Sequence, residues 1–231
     1  MAAPKLSPPH RRSAQAVDRF AFERALHHQG TTHLAGVDEA GRGPLAGPVV
    51  AAAVVLPEAW IEAGLPAKLS GLNDSKQLTA RQRERFFEFL THHALVRYAV
   101  AQADAATIDA INILRATHGA MNQALAALQP PPQHVLVDGL RVPSLAFPQT
   151  ALVRGDARSY LIAAASVLAK VNRDRLMHAY DREFPAYGFA RHKGYATPQH
   201  LAALAEHGPC PIHRRSFAPV RVNQPELFPA S

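Results

Sequence analysis

Three short apolar runs of the chain each lead into an acidic residue beside a glycine-containing turn. They read LAGVDEAG, HVLVDGL and ALVRGD, and they reach Asp38, Asp138 and Asp156. A short apolar run bounded by turn residues predicts a buried strand. In open α/β sheets, functional side chains gather at the carboxyl ends of the strands, where the loops leave the sheet. We therefore expect these acids to converge at one sheet edge, although they lie far apart in the sequence.

The remaining patterns predict an α/β fold, with a mixed five-stranded sheet flanked by helices and a helical C-terminal lobe. The predicted strands are THLAGVDE, GPVVAAAVVL, ALVRYAVAQ, HVLVDG and TALVRGD, the last ending at Asp156. Helices are predicted over residues 17–28, from Thr79 onward, over 107–128, over 161–176, and from Pro198 to Gly208. Thr79 followed by Gln82 is the signature of a capping box. Over 107–128 the apolar residues alternate at spacings of three and four, which predicts one long helix with one buried stripe.

The charge balance of the chain is basic. Lys and Arg number 25 against 18 Asp and Glu, which gives a net charge of +7. This balance favours a polyanionic partner, most commonly nucleic acid, and a basic surface without a specific partner is the alternative. No apolar run approaches the roughly 18 residues of a membrane span, and the N-terminus lacks the apolar core of a secretory signal. The single cysteine, Cys210, cannot form an internal disulfide, so we expect a reducing, cytoplasmic location without membrane contact.

The acids themselves predict a metal site. Clustered carboxylates repel one another unless a cation neutralises them, and ligands that offer only oxygen suit Mg²⁺ or Mn²⁺. Two such ions about 4 Å apart activate a water and stabilise the leaving oxygen in phosphodiester hydrolysis. The chain has 13 histidines but no HExxH and no CxxC, so no zinc signature competes. For an isolated VDG stretch, the alternative is an ordinary turn carboxylate.

Asp38 and Glu39 are adjacent, which poses a geometric difficulty. Neighbouring residues of a strand point to opposite faces of the sheet. We expect Glu39 to lie at the strand end, where the turn at Ala40-Gly41 redirects its side chain toward the site. A contribution from its main-chain carbonyl is the alternative.

Together, these segments resemble type 2 ribonuclease H, the ribonuclease HII family. The resemblance runs from residue 33 to about 220 and rests on DEAGRGP, GDARSYLIAAASVLAKVNRD, KGYAT and HGPCPIHRRSFAPV. It implies a ribonuclease H-like sheet and metal-dependent cleavage on the 5′ side of ribonucleotides, in RNA–DNA hybrids and in duplex DNA, leaving 3′-hydroxyl and 5′-phosphate ends. The type 3 relative fits less well, because it typically has lysine at the position of Arg42 and a separate N-terminal binding domain.

The resemblance assigns roles to individual residues. The family's metal-binding acids fall on Asp38, Glu39, Asp138 and Asp156. Its Gly-Arg-Gly loop falls on Gly41, Arg42 and Gly43, and its junction-sensing tyrosine on Tyr195. Glycines let main-chain groups approach a ribose, whose 2′-hydroxyl both donates and accepts hydrogen bonds.

Four basic residues near these motifs complete the predictions for the site. Lys76 and Arg158 are candidate phosphate contacts, and the family usually has lysine where Arg158 stands. Lys170 and Arg173 are expected to be helix-surface or structural residues.

The domain boundaries follow from the same reading. We expect a disordered N-terminal tail over residues 1–16, a ribonuclease H-like catalytic domain over 17–220 that includes the helical lobe, and a flexible tail over 221–231. In that tail, Gln224, Leu227 and Phe228 resemble the Q-x-x-L-F peptide by which bacterial replication proteins dock on the sliding clamp. A tail that packs back on the domain is the alternative.

Two other functions remain open from the sequence. The first is a non-catalytic nucleic-acid-binding module that uses the basic surface. The four acids argue against it, because a pure binder would gain by losing negative charge near phosphates. The second is a DNA nuclease or a metal-dependent phosphatase on the same fold, against which Gly41-Arg42-Gly43 and Tyr195 argue for ribose discrimination.

Overall fold

The computed structural model of the 231-residue chain describes residues 18–222. The predicted N-terminal tail and Gln224, Leu227 and Phe228 of the predicted clamp-binding peptide lie outside this range. The final helix, Ala218–Val222, runs two residues past the predicted domain boundary at 220. Between residues 18 and 222, no helix is long and apolar enough to cross a membrane.

Five strands form one mixed sheet in the order β3-β2-β1-β4-β5. They are β1 (Leu34–Ala40), β2 (Val49–Val55), β3 (Arg97–Ala103), β4 (His134–Asp138) and β5 (Gln149–Leu152). β2 pairs antiparallel with both β1 and β3, whereas β4 pairs parallel with both β1 and β5. The predicted mixed five-stranded sheet is confirmed.

Helices cover both faces of the sheet and form the C-terminal part of the molecule. They are α1 (Ala21–His28), α2 (Glu58–Ala63), α3 (Ala80–His92), α4 (Ala105–Ile111), α5 (Ile113–Ala126), α6 (Tyr160–Glu183), α7 (Phe189–His192), α8 (Pro198–His207) and α9 (Ala218–Val222). Two short 3₁₀ turns, Ala67–Leu69 and Gly155–Ala157, lie in the connections. The predicted capping box at Thr79 is confirmed, with the Gln82 side chain bonded back to the Thr79 main chain.

Alternate residues of the central strands face different helices, as strand geometry requires. Leu34 and Leu136 pack in the cluster that contains α3 and α6, whereas Val37 and Val137 pack in the cluster that contains α5. At Gly36, a Cβ would lie 2.4 Å from the main-chain carbon of Leu161, so α6 can rest on β1 only because this position is glycine.

α6 links the sheet to the lobe formed by residues 184–222. Its first half is buried against the sheet, and Met177 in its second half packs with Phe189, Ala203 and Cys210 of the lobe and with Ala46. The segment that follows β1 is therefore in direct contact with the lobe.

The single helix predicted over residues 107–128 is wrong. The chain breaks at Asn112, whose backbone has φ +68° and ψ 162° and whose side chain caps α5 by accepting the N–H of Arg115. Ile111 and Leu114 on either side of the break are 41% and 50% exposed, and the buried face of α5 begins at Ala116. The helical spacing of apolar residues continues across Asn112, so the sequence pattern gives no sign of the change in backbone direction there.

The predicted end of the fifth strand at Asp156 is also wrong. β5 ends at Leu152, and Asp156 lies in the 3₁₀ turn Gly155–Ala157 that leads into α6. Arg154, just before this turn, adopts the left-handed conformation with φ +54°. The third acid, Asp156, therefore lies in a turn between β5 and α6 and not at the end of a strand.

Candidate active site

Register places two of the acids side by side. Val37 pairs with Val137 in the parallel ladder of β1 and β4, so Asp38 and Asp138 follow at the same level of neighbouring strands. By alternation both acids share the sheet face that Leu136 presents to α6. The predicted convergence of these strand ends is observed.

The turn before α6 brings the third acid to the same place. The N–H of Gly155 donates to Oδ1 of Asp138 at 2.6 Å, which fixes the turn against the end of β4. A Cβ at Gly155 would lie 2.5 Å from Cδ1 of Ile162, so the approach requires glycine. One carboxylate oxygen from each of Asp38, Asp138 and Asp156 lies within 4.8 Å of the others.

These carboxyls are buried as well as close together. Asp38 is 6% exposed and Asp156 is 8% exposed. Burial, followed by the charges of Glu39 and Asp138, raises the pKa of Asp38 well above its usual range. Burial, followed by the charge of Asp138, raises the pKa of Asp156 to about 6. Such a group of clustered carboxylates offers only oxygen ligands and fits a hard divalent cation such as Mg²⁺ or Mn²⁺.

The expected redirection of Glu39 by the following turn is wrong. β1 continues through Ala40, and Glu39 pairs with Ala51 as an ordinary strand residue. Glu39 lines a cleft of about 350 Å³ together with Asp138 and residues of α5, and its Oε1 accepts a hydrogen bond from Arg42 at 3.3 Å. Burial raises the pKa of Glu39, an effect that Arg42 opposes. Asp38 and Glu39 therefore reach the sheet edge from opposite faces.

The Gly-Arg-Gly sequence begins the connection from β1 to β2, residues 41–48, here called loop 41–48. Gly41 has φ +97°, and a Cβ there would lie 2.0 Å from Nε of Arg173. The carbonyl of Gly41 accepts a hydrogen bond from Arg214 of the lobe, and Arg42 O accepts another at 2.9 Å. Arg42 itself extends a half-exposed side chain toward Glu39.

Two buried arginines hold this loop. Arg214 donates to Gly47 O as well as to the Gly-Arg-Gly carbonyls, and burial lowers its pKa to about 9. Arg173 donates to Pro48 O at 3.0 Å and to Ala46 O at 3.1 Å. Both side chains are at most 1% exposed and bind main-chain carbonyls. Arg173 is thus a structural residue, as expected. The role of Arg214 was not predicted, because no local sequence pattern marks an arginine as buried.

Tyr195 stands over loop 41–48. Its side chain is 45% exposed, and its Cε1 lies 3.7 Å from the position that a Cβ on Gly43 would take. The aromatic ring and the Gly-Arg-Gly main chain therefore face each other across a gap that a glycine keeps open.

Lys76 interacts electrostatically with the acids of the site, and the neighbouring Asp74 is a further acid close to them. Burial opposes the charged form of Lys76, but attraction to Asp38, Asp74 and Asp156 outweighs burial and raises its pKa. After burial and the charge of Asp138, the charge of Asp74 also raises the pKa of Asp156, and the Asp74 carboxyl accepts the main-chain N–H of Lys76 at 2.8 Å. Asp74 was not among the residues predicted for the site, although its position beside Lys76 in the loop LNDSK pointed to it.

Arg158 makes different contacts. Its guanidinium lies 5.1 Å from the ring centroid of Phe22, and its Nη1 donates to Val153 O at 3.4 Å. Lys170 forms an ion pair with Asp174 on α6 at 2.7 Å, in keeping with a helix-surface role.

Comparison with known proteins places these features in context. The sequence profile of the family described as "Ribonuclease HII" matches residues 35–220, a span that contains the acids, loop 41–48 and Tyr195. A ribonuclease HII of Geobacillus thermodenitrificans is 55% identical over 200 residues, which cover 87% of this chain and 74% of the relative.

Two solved structures share the fold. The ribonuclease H2 of Pyrococcus horikoshii superposes with a TM-score of 0.69 and 30% identity, over 83% of this chain and 96% of that one. The Archaeoglobus fulgidus chain matched in a PCNA:RNase HII complex superposes with a TM-score of 0.66 and 25% identity, over 81% and 96%. The architecture thus recurs in these two relatives.

Proposed function

The chain belongs to the ribonuclease HII family and is a ribonuclease H hydrolase, and from that premise we propose its substrates and mechanism. The proposed activity is endonucleolytic cleavage on the 5′ side of ribonucleotides, in RNA–DNA hybrids and at single ribonucleotides embedded in duplex DNA. The products would carry 3′-hydroxyl and 5′-phosphate ends, as in the removal of ribonucleotides from DNA in the cytoplasm. The observation that carries the proposal is the convergence of three carboxylates within 4.8 Å beside loop 41–48 and Tyr195.

The acids form the proposed metal site. Asp38, Asp138 and Asp156 would hold Mg²⁺ or Mn²⁺ from the α6 face, with Glu39 contributing from the α5 face. When bound, two such ions activate a water molecule and stabilise the leaving oxygen. Attack of a water oxygen on the phosphorus would form one P–O bond as the bond to the 3′ oxygen breaks, and the proton lost by the water would balance the one gained by the 3′ oxygen, with no covalent enzyme intermediate.

Loop 41–48 and Tyr195 form the proposed ribose-recognition element. The main chain at Gly43 is exposed and can be approached closely, because the position carries no side chain, whereas Gly41 is buried and its carbonyl accepts a hydrogen bond from Arg214. The buried contacts of Arg173 and Arg214 with the loop support recognition by a preorganised main chain. Lys76 is the proposed phosphate contact nearest the acids, and Arg158 is proposed as a second contact at the surface beside Phe22.

A test of the activity uses a DNA duplex that contains one ribonucleotide, with Mg²⁺, with Mn²⁺ and with chelator. We expect cleavage 5′ of the ribonucleotide that the chelator abolishes, and no cleavage of the all-DNA duplex. Asp138→Asn should lower the rate by roughly 100-fold or more, while fluorescence anisotropy shows nearly unchanged duplex binding. The surface variant Glu62→Gln is the matched control.

The other outcomes identify the rival functions. Metal-independent binding without cleavage would support a binding module. Equal cutting of the all-DNA duplex would support a DNA nuclease. Near-normal rates for Asp138→Asn would overturn the metal assignment.

A protein partner is proposed separately. The Archaeoglobus fulgidus relative was solved in a PCNA:RNase HII complex, and the pattern at Gln224, Leu227 and Phe228 supports docking of this chain on a sliding clamp. Removing residues 223–231 should abolish retention by an immobilised bacterial clamp and leave cleavage of the free duplex unchanged. Unchanged retention would contradict the proposal.

A further inference from the structure

A chain of hydrogen bonds crosses the interior of the lobe and ends on the main chain of Tyr195. The N–H of Cys210 donates to Nδ1 of His213 at 3.0 Å. The Nε2 atoms of His213 and His200 lie 3.0 Å apart, and Nδ1 of His200 lies 2.8 Å from Tyr195 O. His200 and His213 are 0% and 2% exposed, so these bonds are shielded from water.

The main-chain groups at the two ends determine where the protons lie. Because Nδ1 of His213 accepts the Cys210 N–H, its Nε2 carries the ring proton and donates to His200. Nε2 of His200 is then the acceptor, and its Nδ1 donates to the carbonyl of Tyr195. Each ring nitrogen of the pair is satisfied with both imidazoles neutral.

The neutral state is the one that burial favours. Burial lowers the pKa of His213 to about 4 and also lowers the pKa of His200. An added proton would leave two N–H groups facing each other at 3.0 Å, since the outer nitrogens are already committed to main-chain groups. The hydrogen-bonded pair therefore has one arrangement near neutral pH.

The residues around Tyr195 are held in the same way. Gly194 N–H donates to Nδ1 of His192, whose ring stacks on His200 with centroids 4.4 Å apart. Gly194 O accepts the N–H of Leu45 at 2.8 Å, and Lys193 O accepts Nη1 of Arg173 at 3.0 Å. The exposed tyrosine ring is thus attached to a main chain whose polar groups are bonded to buried residues.

We propose that His200, oriented by His213, is a positioning residue that sets the placement of Tyr195 over Gly43 and thereby sharpens the recognition of ribonucleotides. His200 acts through the carbonyl of Tyr195 and does not touch the substrate. The inference rests on the proposed function, because it concerns the efficiency of cleavage at a ribonucleotide. Burying two imidazoles is unfavourable unless their hydrogen bonds are made, and the bond at the far end of this chain is the one to Tyr195.

Two substitutions at position 200 separate the two bonds of the ring. The amide nitrogen of asparagine reaches the position of Nδ1, so His200→Asn retains the bond to Tyr195 O and loses the contact with His213. Glutamine reaches the position of Nε2, so His200→Gln does the reverse. On a duplex with one ribonucleotide, we expect His200→Gln to lower kcat/KM by roughly tenfold and His200→Asn to stay within about threefold of wild type.

The same two substitutions are then made in a Tyr195→Ala background. If His200 acts through Tyr195, the two double variants cleave at equal rates. Titration with Mn²⁺ should give the same affinity for every variant, a readout that general loss of the fold would alter. Equal losses for His200→Gln and His200→Asn in the wild-type background, or an undiminished effect of His200→Gln in the alanine background, would overturn the inference.

The controls distinguish this failure from failure of the proposed function. Absence of cleavage by the wild type would remove the proposed function itself. Cleavage by Tyr195→Ala at the wild-type rate would remove the role of Tyr195 and the inference with it. If the wild type cleaves, Tyr195→Ala cleaves more slowly, and His200→Gln and His200→Asn cleave at equal rates, the inference alone fails.

Discussion

At the scale of a residue, Asp38 shows that burial and neighbouring negative charge oppose ionisation of the carboxyls in the site. Its carboxyl is buried beside Asp138 and Asp156, and its pKa is raised by that burial and by neighbouring negative charge. Each unit of a raised carboxyl pKa corresponds to about 1.4 kcal/mol of lost preference for the charged form. A charge kept against this penalty is typical of a functional position.

Removing that charge should stabilise the protein without metal. Asp38→Asn keeps an oxygen that can accept the Glu39 N–H but ends the repulsion, so we expect the melting temperature in chelator to rise by a few degrees, about 1–2 kcal/mol. The rise that Mn²⁺ causes in the wild type should be absent in the variant. Differential scanning calorimetry with chelator and with Mn²⁺ checks both expectations. A lower melting temperature than wild type in chelator would contradict the repulsion argument, and Glu62→Gln should change neither value.

The two glycines around Arg42 should respond differently to alanine. At Gly41, the backbone has φ +97° and a Cβ would lie 2.0 Å from Nε of Arg173, so Gly41→Ala should cost roughly 3 kcal/mol or more. At Gly43, a Cβ meets only Cε1 of Tyr195 at 3.7 Å. Gly43→Ala should therefore keep stability within about 0.5 kcal/mol yet reduce cleavage, because the methyl group enters the gap under the tyrosine ring. Urea unfolding and kcat/KM are the measurements, and full activity of Gly43→Ala would argue against ribose entry there.

At the scale of an element, sequence patterns predicted the features that depend on residues close together in the chain. The capping box at Thr79 depends on residues three apart, and the acids at the ends of β1 and β4 follow from apolar runs that stop at a turn. Asp156 escaped this reasoning because its position depends on a hydrogen bond between Gly155 and Asp138, seventeen residues apart.

Long-range contacts explain the other differences. The burial of Arg214 depends on carbonyls more than 160 residues away in the chain, which no local pattern records. Strand alternation alone predicts the sheet face on which the Glu39 side chain lies. The expectation differed because it assumed that the turn at Ala40-Gly41 would redirect this side chain.

Asn112, between α4 and α5, offers a test at this scale. Its combination of φ +68° and ψ 162° is a region that glycine occupies almost alone. We expect Asn112→Gly to be at least as stable as wild type, because relief of strain offsets the lost cap. Asn112→Ala keeps the strain and loses the cap, so it should be destabilised by about 1–3 kcal/mol. Guanidinium unfolding compares the pair, and equal stability of the two variants would show that the break is unstrained.

At the scale of the whole molecule, the lobe contributes a pH dependence to folding. His213 has a folded pKa of about 4 against an ordinary value of 6.5, so the unfolded chain takes up this proton first as the pH falls. Its contribution to stability is fully present above pH 6.5 and is lost as the pH falls through about 4. The loss is about 3 kcal/mol at most, at about 1.4 kcal/mol for each pH unit.

Comparison with His213→Gln isolates this effect. Asp156 acts in the opposite direction, because its raised pKa makes the folded protein take up a proton first below about pH 6, and that contribution is common to both proteins. In chelator, the wild type should exceed His213→Gln in free energy of unfolding at pH 7.5, and this advantage should shrink or vanish at pH 4.5. Urea titrations at the two pH values measure it, and a constant difference would refute the lowered pKa.

The hydrogen bond from Arg214 to the carbonyl of Gly41 joins residues 173 positions apart in the sequence, so it can form only late in the synthesis of this part of the chain. A chain emerging from the ribosome presents β1, β2 and their acids early, because domains form from the N-terminal end as they are made. Loop 41–48 cannot take its final shape until the last part of the lobe has left the exit tunnel. A nascent chain would therefore carry Asp38 and Glu39 long before Arg214 is available to hold loop 41–48, and the proposed ribose-recognition element would form only after Arg214 has emerged.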